Sequence, residues 1–234
     1  GTHISIIVTD AKKDTVVLTQ QCHMRHTVTA SLTMKRFFVK LNQIATISAG
    51  HPYRGKIPEI DSGIMAVVQM RDASPEGGVD WSACLRSEPT SKKEPDWLQT
   101  GDILVAARGS TNYAVLVDTG LAPLPAVAAP HFYVVRLHSE ALSPEFLAWQ
   151  LNQSPCQRYF ELHAEGSAAK SIRRQVLEEA PIGIPSLARQ AAIMKLAHSL
   201  REERNLMQQL QRNGEQMMQA IAASLLEQSD QLAK

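Results

Sequence analysis

From residue 185 to residue 228 the chain carries a hydrophobic pattern that admits few folds. Pro185 cannot occupy a helix interior, whereas Ser186 directly after it is a residue type that caps one. Beyond it Ile193, Leu200, Met207, Gly214 and Ile221 recur every seventh residue, and Leu196, Leu210 and Met217 each fall three residues after a member of that series. This seam is interrupted at Glu203 and Ser224 and is carried by helix formers such as Gln, Glu, Arg, Ala and Leu. At about 1.5 Å per residue it predicts a helix on the order of 60 Å long. An amphipathic helix usually lies on its own domain. Here the stripe is narrow, and its period is nearer the roughly 3.5 residues of a coiled coil than the roughly 3.6 of a straight helix, which favours pairing with another helix. Gly214, after Asn213, is the soft point where the chain could instead turn back into a helical hairpin.

The 234 residues, 44% hydrophobic, suffice for one domain with its own core plus this appendage. A formal net charge of +1 argues against a non-specific nucleic-acid coat, so any DNA contact has to come from local basic patches. Cys22, Cys84 and Cys156 are odd in number and widely separated, with no C-x-x-C. Neither a disulfide framework nor a zinc ribbon is supported, and a reducing, cytoplasmic setting is expected. Cys22-His23-x-x-His26 lacks a further ligand at defined spacing, so no metal is expected. No apolar run approaches the roughly 20 residues of a membrane span. GxSxG, the P-loop, HExxH, the Asn/Asp-Pro-Pro-Tyr/Phe motif of amino-methyltransferases and the Glu-x-Lys of nucleases are all missing from the sequence. No catalytic residue and no cofactor is expected.

Ahead of the long helix the pattern is mixed. Residues 4–9 and 15–19 read as short strands around a turn, and 21–35 have no clear period. Residues 38–50 read as a strand or turn of helix ending at Gly50-His51-Pro52, and 64–70 as an apolar strand. Residues 71–96 are polar and Pro/Gly-rich and read as surface loop. Gly101-Asp102 allows a tight turn into the buried strand Ile103-Leu104-Val105, and 112–117 return as its neighbour. An Ala/Pro linker, 122–130, precedes a strand at 131–137. Ser143-Pro144 and Ser154-Pro155 each offer a Ser cap with Pro at the first helical position, and Gly166 suits a left-handed end to the second helix.

Three of these elements, in this order, carry a family likeness. They are Leu98-x-x-Gly101-Asp102-Ile103-Leu104-Val105 with Gly109 after it, the two Ser-Pro helices with Phe146-Leu147 and Gln157, then Gly166-Ser167 and a basic loop, and Ile184-Pro185-x-Leu187-x-x-Gln190-x-x-Ile193 entering the long helix. Over about residues 38–228 they resemble specificity (S) subunits of Type I restriction–modification systems. The resemblance implies an α+β chain: a mixed α/β target-recognition domain at 36–184, then a long C-terminal coiled-coil-type spacer helix at 185–234. Residues 1–35 depart from the family pattern and read as an N-terminal extension, either an added hairpin or an upstream tail. An S subunit of this family normally has two recognition domains and two spacer helices. One of each implies a half-subunit that homodimerises through Ile193, Leu196, Leu200, Met207, Leu210, Met217 and Ile221, or else the C-terminal piece of a longer chain. The implied partners are double-stranded DNA, a second copy, a methyltransferase (M) subunit and a restriction (R) subunit. Catalysis would belong to the last two.

DNA contact needs cations aimed at phosphates and planar or amide side chains aimed at base edges. The densest patch is Ser167, Lys170, Arg173 and Arg174. By composition it serves equally as a solvated loop whose arginines pair with Glu178 and Glu179. The resemblance tips it toward DNA, because the loop before the final strand faces the groove in that family. Secondary candidates are Arg54 and Lys56, Gln69 and Arg71, and Arg108, Ser110 and Asn112. Lys92 and Lys93 suit phosphate contact at most. The rival reading is a coiled-coil adaptor whose α/β domain binds a protein or small ligand.

Overall fold

The computed structural model describes residues 4–7, 15–20, 28–33, 38–89, 94–109, 111–166 and 170–232. The chain forms two compact units that divide between Phe38 and Val39. The first contains an antiparallel meander of Ile4–Ile7, Thr15–Gln20 and Val28–Thr33. Its third strand lies in the stretch where the sequence has no clear period.

The second unit is built around Ile103–Ala106, buried at every position as an apolar run covered on both faces must be. It pairs antiparallel with Ala114–Leu116 on one side and Phe132–Leu137 on the other, and Phe132–Leu137 pairs with Ala45–Ala49. The period of two then divides the core. Ile103 and Val105, with Ile47 and Val135, pack toward the helices, whereas Leu104, Ala106, Phe132 and Val134 pack on a second sheet. That sheet has Met65–Val68 at its centre, parallel to Ala126–Ala128 and antiparallel to Leu85–Ser87. Tyr53, Ile57 and Trp97 cover its outer face.

Two readings are corrected here. The stretch taken as an Ala/Pro linker contains the buried strand Ala126–Ala128, whose far edge accepts hydrogen bonds from the Leu98 and His51 N–H groups at 2.9 and 2.7 Å. Small side chains hid it, because alanine carries little strand preference. The stretch read as surface loop, 71–96, supplies Leu85–Ser87, the small hairpin Ala73–Ser74/Gly78–Val79 and buried Trp81.

Helix α1, Pro144–Leu151, starts as expected, with the Ser143 hydroxyl accepting the Phe146 N–H at 3.1 Å. Helix α2, Ser154–His163, is capped one residue earlier than expected, at Gln153, and ends before Gly166, which takes φ +96° in the following turn. A short helix α3, Arg174–Glu178, leads to the strand Pro181–Gly183. Helix α4 then runs unbroken from Leu187 to Leu232, about 69 Å at the usual rise. It passes straight through Gly214, so no hairpin forms there.

Two polar ties hold the unit together. The Asp102 carboxylate, 1% exposed, accepts both Arg136 Nε at 2.8 Å and Nη2 at 2.7 Å, and the Gln99 N–H at 2.9 Å. This pairing holds the Arg136 guanidinium above its usual pKa. Asn152, following α1, exchanges two hydrogen bonds with the backbone of Ala114, at 2.9 and 2.8 Å, so the edge strand Ala114–Leu116 is pinned beneath the helix.

Candidate nucleic-acid interface

Past Ala106 the central strand continues as Arg108–Gly109, which pairs antiparallel with Lys170–Ser171. Buried Ile172 roots this ribbon in the core, its N–H donating to the Ala107 carbonyl at 3.0 Å. The Tyr133 hydroxyl donates to the Ile172 carbonyl at 3.3 Å, and Ser171 exchanges backbone bonds of 2.9 Å with Glu165. Gly109 adopts φ +138°, and a Cβ there would lie 3.2 Å from Met70 Cε. The close approach brings the turn of Gln69, Met70 and Arg71 beside the ribbon, where the Tyr113 hydroxyl donates to the Met70 carbonyl at 2.9 Å.

Arg108, Lys170, Arg173 and Gln69, scattered in sequence, are therefore carried by segments that meet at one end of the two sheets, whereas Arg71 pairs with Asp72 at 3.3 Å. Arg173 forms a two-bond pair with Glu165 at 2.8 and 3.1 Å, and Arg174 pairs with Glu178 at 2.7 Å. The expected Glu178 partner holds for Arg174, but Glu179 bonds Gln175 at 3.2 Å instead of an arginine. The Arg173–Glu165 side chains are 74% and 58% exposed. An ion pair so open to water holds its partners by about 0–1 kcal/mol, so phosphate or a base edge can displace the carboxylate.

The remaining candidates separate. Asn112 is buried, with its Nδ2 donating to the Ala106 carbonyl at 2.9 Å, so it shapes the turn from within. Gln69 Nε2 is buried with no hydrogen-bond partner among the described residues. Arg54 and Lys56 are exposed on either side of Gly55, and among the described residues no hydrogen bond or ion pair joins them to the ribbon. Ser110, Ser167, Lys92 and Lys93 lie outside the described residues, as does the Cys22–His26 stretch. Sequence reading missed His131, taken as a plain strand residue. It is exposed, and its carbonyl accepts the Ala107 N–H at 2.8 Å, beside Arg108.

Among the described residues, it is the first turns of α4 that touch the domain. Gln190 and Met194 are buried, and Ile193 and Ala197 pack against the core. From the expected seam, Leu196, Leu200, Met207, Leu210, Met217 and Ile221 are exposed. Leu196 and Leu200 line an open groove of about 680 Å³ with Trp149 and Leu116, bounded by the Pro75–Gly78 turn and by Arg201 and Arg204.

Burial, with Asp72 and Asp80 nearby, pushes the Cys84 thiol up to about 12, and burial alone pushes Cys156 to about 11, so both stay protonated near neutrality. Among the described residues no group of His, Cys, Asp or Glu could hold a metal ion, and no helix is long and apolar enough to cross a membrane.

A family model for the Type I restriction modification DNA specificity domain matches residues 37–213. Among solved structures, the chain is similar to one described as the structural basis of complex assembly and conformational transition of the type I R-M system. The TM-score is 0.60 at 16% identity, covering 82% of this chain and 45% of that one. It is also similar to the HsdS subunit from Thermoanaerobacter tengcongensis (TM-score 0.49, 15% identity, covering 74% and 39%). A third is the Type-I restriction-modification S subunit from M. genitalium (TM-score 0.45, 16% identity, 74% and 41%). This chain spans under half the length of each, and at these identities the first likeness speaks to the fold alone. No curated protein matches.

Proposed function

Because this chain belongs to the family of Type I restriction–modification DNA specificity domains, we propose that it reads one DNA half-site through the ribbon end of its recognition domain. The observation that carries the reading is the backbone pairing of Arg108–Gly109 with Lys170–Ser171, which joins two cation-bearing segments from distant parts of the sequence in one ribbon. Lys170 and Arg108 suit phosphates. Arg173, held as a two-pronged fork by Glu165, is oriented to grip a guanine edge once the carboxylate lets go.

The exposed stripe from Leu196 to Ile221 wants an apolar cover. In this reading a second copy supplies it, so that two recognition domains read two copies of one half-site at a separation set by the helices. Methyltransferase and restriction subunits bring the chemistry. The test is retention of the assembled protein on a duplex library at two salt concentrations. Binding should be sequence-dependent and weaken steeply with salt. A coiled-coil adaptor would show neither property, and that result would overturn the proposal.

A further inference from the structure

Gln190 is 1% exposed, an amide sealed into the joint between the recognition domain and α4. Its Oε1 accepts the Ser143 N–H at 2.9 Å, and its Nε2 donates to the carbonyls of Ala141 and Pro185, each at 2.8 Å. Ser143 is the residue whose hydroxyl caps α1. One side chain thus ties the first turn of α4 to the corner where the chain enters α1. The rest of the α4 joint is of a different kind. Ile193, Met194 and Ala197 pack without direction, and His198 meets Glu145 at 2.7 Å between half-exposed side chains.

An apolar side chain of similar length would fill the same space at little cost in packing. What the amide adds is direction, since the two hydrogen bonds that cross the joint, to Ser143 and Ala141, specify an angle that sliding apolar surfaces leave loose, while the third closes on Pro185 at the entry to α4 itself. That angle is amplified by length. A tilt of about 5° at Gln190 would carry the far end of α4 by on the order of 5 Å, more than one base-pair step of roughly 3.4 Å.

We infer that Gln190 is a positioning residue, whose hydrogen bonds to Ser143 and Ala141 hold α4 at the angle that sets the separation between two half-sites. The inference rests on the bipartite reading proposed above. Gln190→Met keeps the length and unbranched shape and removes all three bonds. Nitroxide labels carried by non-natural amino acids at Glu161 on α2 and Glu215 on α4 report the angle without DNA. The unsubstituted chain should give one narrow distance distribution, and the variant a broader one. A broad distribution in the unsubstituted chain, or the same distribution in both, would overturn the pin.

The second arm varies the spacing between two copies of the preferred half-site, using the assembled protein. Bivalent binding gains roughly 10²–10⁴-fold only where both sites can be engaged at once, so the unsubstituted protein should lose about 10²-fold off its best spacing and Gln190→Met about threefold or less. Base preference within each half-site should be unchanged. A variant that melts at lower temperature but keeps the same sharp spacing optimum would make Gln190 merely structural and sink the inference. Loss of all spacing dependence in the unsubstituted protein would instead overturn the bipartite reading, with the distance distributions still judging the pin.

Discussion

Arg136 and Asp102 form one ion pair but sit in unequal surroundings, 35% and 1% exposed. Removing the arginine strands a buried carboxylate whose main remaining donor is the Gln99 N–H. Removing the carboxylate leaves a guanidinium that water can reach. Arg136→Met should therefore cost about 3–5 kcal/mol and Asp102→Ala clearly less, read from urea melts of each variant. Equal costs, or the reverse order, would show that the carboxylate is not the uncompensated charge. At the ribbon, neutralising Lys170, Arg173 and Arg174 together should lower the salt slope of DNA binding by up to about 2.7, near 0.9 for each phosphate that is no longer neutralised. Replacing Arg173 alone should cost about 1–3 kcal/mol at one base position and relax the preference there. Unchanged affinity and preference in the triple variant would return these residues to a solvated turn paired with Glu165 and Glu178.

Among the elements, α4 departs furthest from what a single copy of the chain can satisfy. Leu200 and Leu210 are 48% and 71% exposed, so a charge at either costs the recognition domain little by itself. Between paired helices the same charge would have no partner and would cost several kcal/mol. Leu200→Glu or Leu210→Glu should abolish self-association in sedimentation while the thermal unfolding of the domain stays nearly unchanged. A concentration-independent monomer in the unsubstituted protein that binds no partner helix would leave the stripe without the role given to it. At this scale the sequence is legible where structure is local. The seven-residue repeat, Pro185 and Ser143 announce α4 and α1, because caps and helical spacing depend on neighbours a few residues away. Ala126–Ala128 escapes notice because alanine between prolines has no local signal, and its strand exists only through Met65–Val68 beside it.

For the whole molecule, chemistry and recognition part company. The sequence holds none of the methyl-transfer or nuclease motifs, so the purified chain incubated with DNA, S-adenosylmethionine and Mg²⁺ should leave the DNA unmodified and uncut. Modification or cleavage by material free of other subunits would overturn that expectation. Sequence alone determined the long helix, the buried strand at Ile103–Ala106, the placement of polar and apolar faces, and the family likeness, all of which follow from short-range spacing. Only the tertiary structure decided which cation-bearing segments meet. The segments of Arg108 and Lys170 join through antiparallel pairing, Arg108 opposite Ser171 and Lys170 opposite Gly109, while Arg173 takes Glu165 and Asn112 turns inward. It also decided that Gln190 is buried with three hydrogen bonds and is not one more polar residue on a helix. Periodicity records the face on which a side chain lies. It does not record which distant backbone will arrive there, because that depends on how the two sheets and the helices bury their apolar faces together.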